Sequence, residues 1–233
     1  MNTLSNYRPF ALAASLFAAC AAPALAQNPA VDLPYQADFE SADGYEPGPL
    51  TSDAEWNLET GLAAEIFSFG AFGSQSLGYT GNHWLWLNTL GLPEGEITWV
   101  DFYLLPIYAA ADELPATIET EQSAVTGFVK IDNAGEVYAL DGDGLGGGQW
   151  APSGELTALD GNTALDWVRL TYRLDYANHQ WDLFVDGNMA LTDLGFLDDT
   201  VLQLTEFASF GDADEPSVLD YFYTGGVNPL YAD

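Results

Sequence analysis

The sequence predicts an all-β chain: an antiparallel two-sheet β-sandwich of the jelly-roll kind. Three observations carry that prediction. From about Val31 onward, short runs of alternating apolar and polar residues succeed one another, and no stretch holds a helical period. The runs are separated by turn residues and not by crossover helices, which implies antiparallel pairing. Aromatics make up 14% of the 233 residues, and 23 glycines and 12 prolines punctuate them, a composition that suits a packed core with tight turns and not a disordered chain.

Taken in order, the first 26 residues stand apart from the fold. Arg8 supplies a positive start, residues 10–19 an apolar run of secretory length, and Ala24-Leu25-Ala26 a small-x-small cleavage site. The expected product is an exported domain spanning 27–233. Cys20, following Ala18-Ala19, offers a competing lipoprotein acceptor, although Phe17 stands where an aliphatic residue is usual. Cleavage at Ala26 would leave no cysteine and so no disulfide or thiolate chemistry. No later segment approaches 18 consecutive apolar residues, so no membrane-spanning helix is expected.

Strand patterns then follow along the mature chain. Trp84, Trp86 and Asn88 alternate with Leu85 and Leu87, and Ile97, Trp99, Asp101 and Tyr103 alternate with Thr98, Val100 and Phe102. Residues 128–131 and 136–140 flank a four-residue turn, as do 167–175 and 180–185, and Asp186-Gly187-Asn188 opens a third hairpin returning through Thr192. The last strands are expected near 202–210 and 218–224. Eleven or twelve strands result, with 142–148 as a glycine-rich loop.

Charge narrows the partners. Four basic residues stand against 35 acidic ones, a formal net charge of −31. Without a basic patch the chain is a poor partner for nucleic acid or anionic membranes. Loss of Arg8 with the leader takes the mature charge to 3 − 35 = −32. Self-repulsion of that size needs screening, either by high salt, where the Debye length falls to about 3 Å at 1 M, or by divalent cations. A salt-adapted, marine, secreted protein is the expected setting.

Three stretches carry a family resemblance. They are Asp38-Phe39-Glu40-Ser41 with Glu46-Pro47-Gly48-Pro49-Leu50, Trp56 and residues 73–77; then residues 167–176 running into Trp181-Asp182-Leu183-Phe184-Val185-Asp186-Gly187; and Leu219-Asp220-Tyr221-Phe222-Tyr223. Together they resemble the concanavalin A-like lectin/glucanase superfamily, and more narrowly its laminin-G-like secreted bacterial domains. The resemblance spans nearly the whole mature chain and implies a jelly roll that binds glycans or proteins, within a superfamily that also holds hydrolases and lyases; it implies fold more firmly than function.

Catalytic patterns are sparse. The family's glucanases carry Glu-x-Asp-x-Glu on one strand face, where alternate residues share a side, and no Glu-x-Asp occurs here. Glu94-Gly95-Glu96 and Glu119-Thr120-Glu121 keep the period but read as solvated charge. Residues 220–228 faintly resemble the closing motif of an alginate lyase family, with Tyr223 in place of its lysine and Pro229 in place of its glutamine. Ser74-Gln75-Ser76-Leu77-Gly78 misses the nucleophile elbow, and His83 and His179 read as strand and turn residues. No catalytic residue is assigned.

Binding is the better-supported expectation: a secreted, non-catalytic carbohydrate-binding module, with a structural or protein-adhesion domain and a polysaccharide-degrading enzyme as the alternatives. Trp150, between Gly146-Gly147-Gly148-Gln149 and Pro152-Ser153-Gly154, is expected in a loop as a stacking platform for a sugar ring. Asp141, Asp143 and Asn133 are expected beside it to accept hydroxyl hydrogen bonds. A neutral glycan is favoured, because uronates and sulfates are repelled by so acidic a chain. Asp141-Gly142-Asp143-Gly144 resembles the start of a calcium loop, but Leu145 and Pro152 stand where later oxygen ligands are required. The family resemblance implies one more feature: in many secreted jelly rolls an opening Phe-Glu and a closing Leu-Asp share a structural calcium ion. Phe39-Glu40 and Leu219-Asp220 match those elements, with Glu40 and Asp220 as ligands and Asp38 and Asp43 nearby.

Overall fold

The computed structural model describes residues 28–50, 55–58, 64–79, 84–105, 126–132, 134–157, 167–210 and 217–231. Fifteen strands lie among them: β1 (Tyr35–Ala37), β2 (Gly48–Pro49), β3 (Trp56–Leu58), β4 (Ala64–Phe67), β5 (Ser76–Tyr79), β6 (Trp84–Asn88), β7 (Ile97–Leu105), β8 (Val129–Ile131), β9 (Glu136–Gly142), β10 (Gly148–Leu156), β11 (Val168–Asp175), β12 (Gln180–Val185), β13 (Asn188–Gly195), β14 (Glu206–Phe210) and β15 (Ser217–Gly225). Nine of them form one sheet in the order β13-β12-β11-β7-β15-β5-β4-β2, with β1 also on β15. Two three-stranded sheets, β10-β9-β8 and β14-β6-β3, pack with it as an antiparallel sandwich.

Period-2 alternation sorts the long strands into two faces. On β7, Val100 and Phe102 are buried in the core while Trp99, Asp101 and Tyr103 point the other way; on β11, Leu170 and Leu174 face in and Arg169, Thr171 and Arg173 face out. Trp181, Leu183 and Val185 of β12 continue the inner face. Phe222 of β15 joins the layers, its ring 5.2 Å from Trp56 and 4.7 Å from Phe207 between centroids. Trp56 and Trp181 are core residues. Trp99 is also buried, but on the outer face, 6.0 Å from Phe184.

The hairpins form where turn chemistry placed them. Gly135 takes φ 82° between β8 and β9, and Asp132 Oδ1 accepts the N–H groups of Ala134 and Glu136 at 2.9 Å each. Asp186 and Gly187, at φ 50° and 77°, make the two-residue turn into β13. Differences from expectation are local. Strand β13 runs on to Gly195 through two register shifts against β12. Strand β14 begins only at Glu206, because Leu204 O accepts Thr89 Oγ1 and Thr205 O accepts the Thr89 N–H, tying that approach to the end of β6. Among the described residues no helix is long and apolar enough to cross a membrane.

Acidic residues carry much of the turn structure. Asp143, Asp182, Asp186 and Asp198 each accept a backbone N–H from a neighbouring turn or strand at 2.8–3.0 Å. Backbone amides thus do for these carboxylates what lysine does elsewhere.

Candidate functional site

Of the residues expected around a sugar, Trp150, Asp141 and Asp143 do not converge. Trp150 lies within β10 and not in a loop, because the 143–147 turn is tight enough for pairing to resume at Gly148 opposite Gly142. The Trp150 ring packs 5.7 Å from Phe128, and its cross-strand partner Leu140 is buried on the same side. Asp141 pairs with Gln149, one residue out of phase, so its side chain points to the opposite face, where Oδ1 accepts the Gly195 N–H at 2.9 Å. Asp143 Oδ1 accepts the N–H groups of Leu145 and Gly147, which closes the turn and holds the carboxyl below its ordinary range. Asn133 lies outside the described residues, as do His83, Glu119, Glu121 and the leader segment with Cys20.

Glu40 and Asp220 meet at one loop. Residues 68–75 connect β4 to β5 and fold over the outer face of β15. Asp220 Oδ2 accepts the N–H groups of Ala71 and Phe72 at 2.7 and 3.0 Å, and Oδ1 accepts that of Tyr221 at 2.7 Å. Glu40 Oε1 accepts the N–H groups of Ser74 and Gln75 at 2.6 and 2.9 Å, and Oε2 accepts Ser74 Oγ–H at 2.9 Å. Burial pushes the Asp220 carboxyl up to about 6 against the pull of its three amides, while the Ser74 amide leads in drawing the Glu40 carboxyl down. Gln75 ties the same loop to the start of the chain through Phe39 O and Tyr45 O at 3.0 and 3.3 Å.

This donor set tests the expected calcium site. Both Oδ2 and Oε1 already accept two N–H bonds, and five amide dipoles direct their positive ends at the pair of carboxylates. Calcium needs six to eight oxygens with lone pairs free to face it. Here the two carboxylates are taken up by backbone amides of the loop.

The same loop completes an aromatic surface that sequence reading did not single out. Strand β15 carries an extra residue against β7: Asp220 pairs with Tyr103 and Tyr223 with Asp101. The bulge places Tyr221 at φ 44° and keeps Asp220 and Tyr221, neighbours in sequence, on one face, while Phe222 returns to the core. Tyr221 there meets Tyr103 at 6.2 Å, and Phe72 from the loop, 51% exposed, stands 4.6 Å from Tyr103 and 5.7 Å from Tyr221. The Arg169 guanidinium carbon is 5.8 Å from the centre of the Tyr103 ring.

Electrostatically this face is balanced. Arg169 binds Asp101 through Nε and Nη2 at 2.9 and 2.7 Å, and Thr171 Oγ–H donates to Asp101 at 2.6 Å, so a fully buried carboxylate has three donors. Asp101 in turn holds the guanidinium above its usual range. Arg173 lies between Asp175 and Asp182 at 3.0 and 3.2 Å. Both arginines among the described residues are therefore matched by carboxylates. Burial raises the Tyr103 and Tyr221 phenols, which stay protonated and able to donate. Chemically the surface offers apolar ring faces, two phenols and no net positive charge.

No protein-family model matches this sequence, and no curated protein sequence matches it. Among solved structures, a sialidase is similar with a TM-score of 0.54 at 12% identity, over 84% of this chain and 18% of its own length. That likeness shows the β-sandwich fold alone, and this chain spans less than a fifth of the sialidase. The binding domain of botulinum neurotoxin serotype D is similar at a TM-score of 0.46 and 12% identity, over 77% of this chain and 47% of that one. The N-terminal CBM22 tandem domain of Paenibacillus barcinonensis Xyn10C is similar at 0.35 and 16%, over 87% and 49%. Neither of these two is close enough to carry an argument.

Proposed function

We propose that this chain is an exported, non-catalytic carbohydrate-binding module with a concanavalin A-like sandwich, and that it takes a neutral glycan on the Phe72–Tyr103–Tyr221 surface. The observation that carries the reading is that three aromatic rings from three separate elements meet on the outer sheet face beside the Asp101–Arg169 pair, with Phe72 half exposed. Sugar rings present C–H faces to aromatic planes and hydroxyls to neighbouring phenols, and this surface has both. A backbone bulge and a tethered loop fix the rings in place, which lowers the ordering cost of binding.

Charge selects the class of glycan. Because Arg169 and Arg173 are each paired with Asp residues, a uronate or sulfate chain finds no unmatched cation on this face and meets the field of the whole acidic chain. The expected result on a panel of polysaccharides is retention by neutral glucans without release of new reducing ends, and weaker retention by alginate at low salt without calcium. Release of reducing ends, or stronger calcium-free retention by alginate, would overturn the reading.

A further inference from the structure

We infer that Glu40 and Asp220 are positioning residues: each carboxylate fills a pair of backbone amides in the 68–75 loop, and together they hold Phe72 against Tyr103 and Tyr221. The consequence for sugar binding rests on the function proposed above; the clamp itself does not.

The loop is built for this. Two successive N–H pairs, Ala71 with Phe72 and Ser74 with Gln75, each converge on a single carboxylate oxygen. Consecutive amides pointing into one concavity form an anion-binding nest. Here there are two in tandem, separated by Gly73. Both glycines of the loop are required by the arrangement. A Cβ on Gly70 would stand 2.7 Å from Asp220 Oδ2, and a Cβ on Gly73, at φ 66°, would clash with Glu40 Oε1. Ser76 Oγ–H closes the base of the loop on Phe69 O at 2.6 Å.

Phe72 sits at the centre of the clamp. Its own N–H is bound by Asp220, whose sequence neighbour Tyr221 is one of the two rings Phe72 touches. Backbone and side chain of Phe72 are therefore fixed by adjacent residues of the same bulge. Glu40 secures the other side of the loop from the opposite end of the chain. Contact with two rings leaves Phe72 half exposed, and charge-assisted bonds at both flanks of the eight-residue loop add to what that partial burial supplies.

The test uses the full mature chain, with Asp220→Asn, Glu40→Gln and Gly73→Ala variants. Amide hydrogen exchange is read residue by residue in constant high salt. The expected result is exchange about tenfold faster at Ala71 and Phe72 in Asp220→Asn, and at Ser74 and Gln75 in Glu40→Gln, with core amides of β7 and β11 unchanged. Gly73→Ala, which keeps both carboxylates but displaces Glu40, should reproduce the Glu40→Gln pattern, and it serves if Glu40→Gln does not fold. Retention on a neutral glucan should fall in all three to the level of Phe72→Ala. Faster exchange with undiminished retention keeps the clamp and overturns the sugar reading of Phe72. Unchanged exchange at these amides overturns the clamp. So does a thermal midpoint raised several degrees by calcium in the unaltered protein and not in a Glu40→Gln/Asp220→Asn double variant, because that result makes the carboxylates cation ligands.

Discussion

Replacing Arg169 by methionine is expected to destabilise the domain by about 3–5 kcal/mol, because it leaves the Asp101 carboxylate buried without a counter-charge. Asp101 is fully buried, and two of its three hydrogen bonds come from this one guanidinium. Thr171 Oγ–H remains as a donor but supplies no charge. Removing both charges together, in Asp101→Leu/Arg169→Met, should cost less than the single Arg169 change, since no unpaired ion is left behind. The measurement is the urea midpoint in constant high salt, where general repulsion among carboxylates is screened. A single-variant loss under about 1 kcal/mol, the range of an exposed pair, would show that the ion pair is not buried as described.

Phe222→Ala should destabilise by a similar amount, about 3–5 kcal/mol, for a different reason. Phe222 is fully buried, and its ring meets Tyr35, Trp56, Phe102 and Phe207, which belong to both layers of the sandwich. Truncation removes the transfer free energy of the ring and leaves a cavity that two sheets must close against each other. Phe222→Leu should recover more than half of the loss. Equal destabilisation by leucine and alanine would mean that the site does not repack around volume, contrary to the packing seen here.

What could be read from the sequence follows from how local each signal is. Asp186-Gly187 and the 132–135 turn announce themselves within four residues, and alternation along β7 and β11 depends only on neighbours, so the antiparallel sandwich was legible. The glycines that crowd residues 144–148 predict a loop at Trp150, whereas Asp143 tightens the turn and strand pairing resumes at once. The aromatic surface was hidden for a physical reason. Phe72, Tyr103 and Tyr221 come from segments far apart in the chain, and Tyr221 reaches the outer face only because a bulge breaks the alternation that predicts side-chain direction. A hint was present in Asp101-Phe102-Tyr103 and Tyr221-Phe222-Tyr223, where aromatics occupy both phases of a strand. One face can be core; the other then needs a reason. Glu40 and Asp220 each bind amides of one loop, a placement that depends on residues 68–75 and not on the two motifs alone.

The most direct test of the account is affinity electrophoresis through a neutral glucan, comparing Phe72→Ala with Trp150→Ala in proteins shown by circular dichroism to be folded. Phe72 is half exposed and can be removed at little structural cost, so a change in retention reports on the surface itself. Phe72→Ala is expected to weaken retention about tenfold, the scale of one aromatic anchor, and Trp150→Ala to leave it within about twofold. Retention that survives Phe72→Ala and collapses in Trp150→Ala would contradict it, and would move the site to the outer side of the β10-β9-β8 sheet.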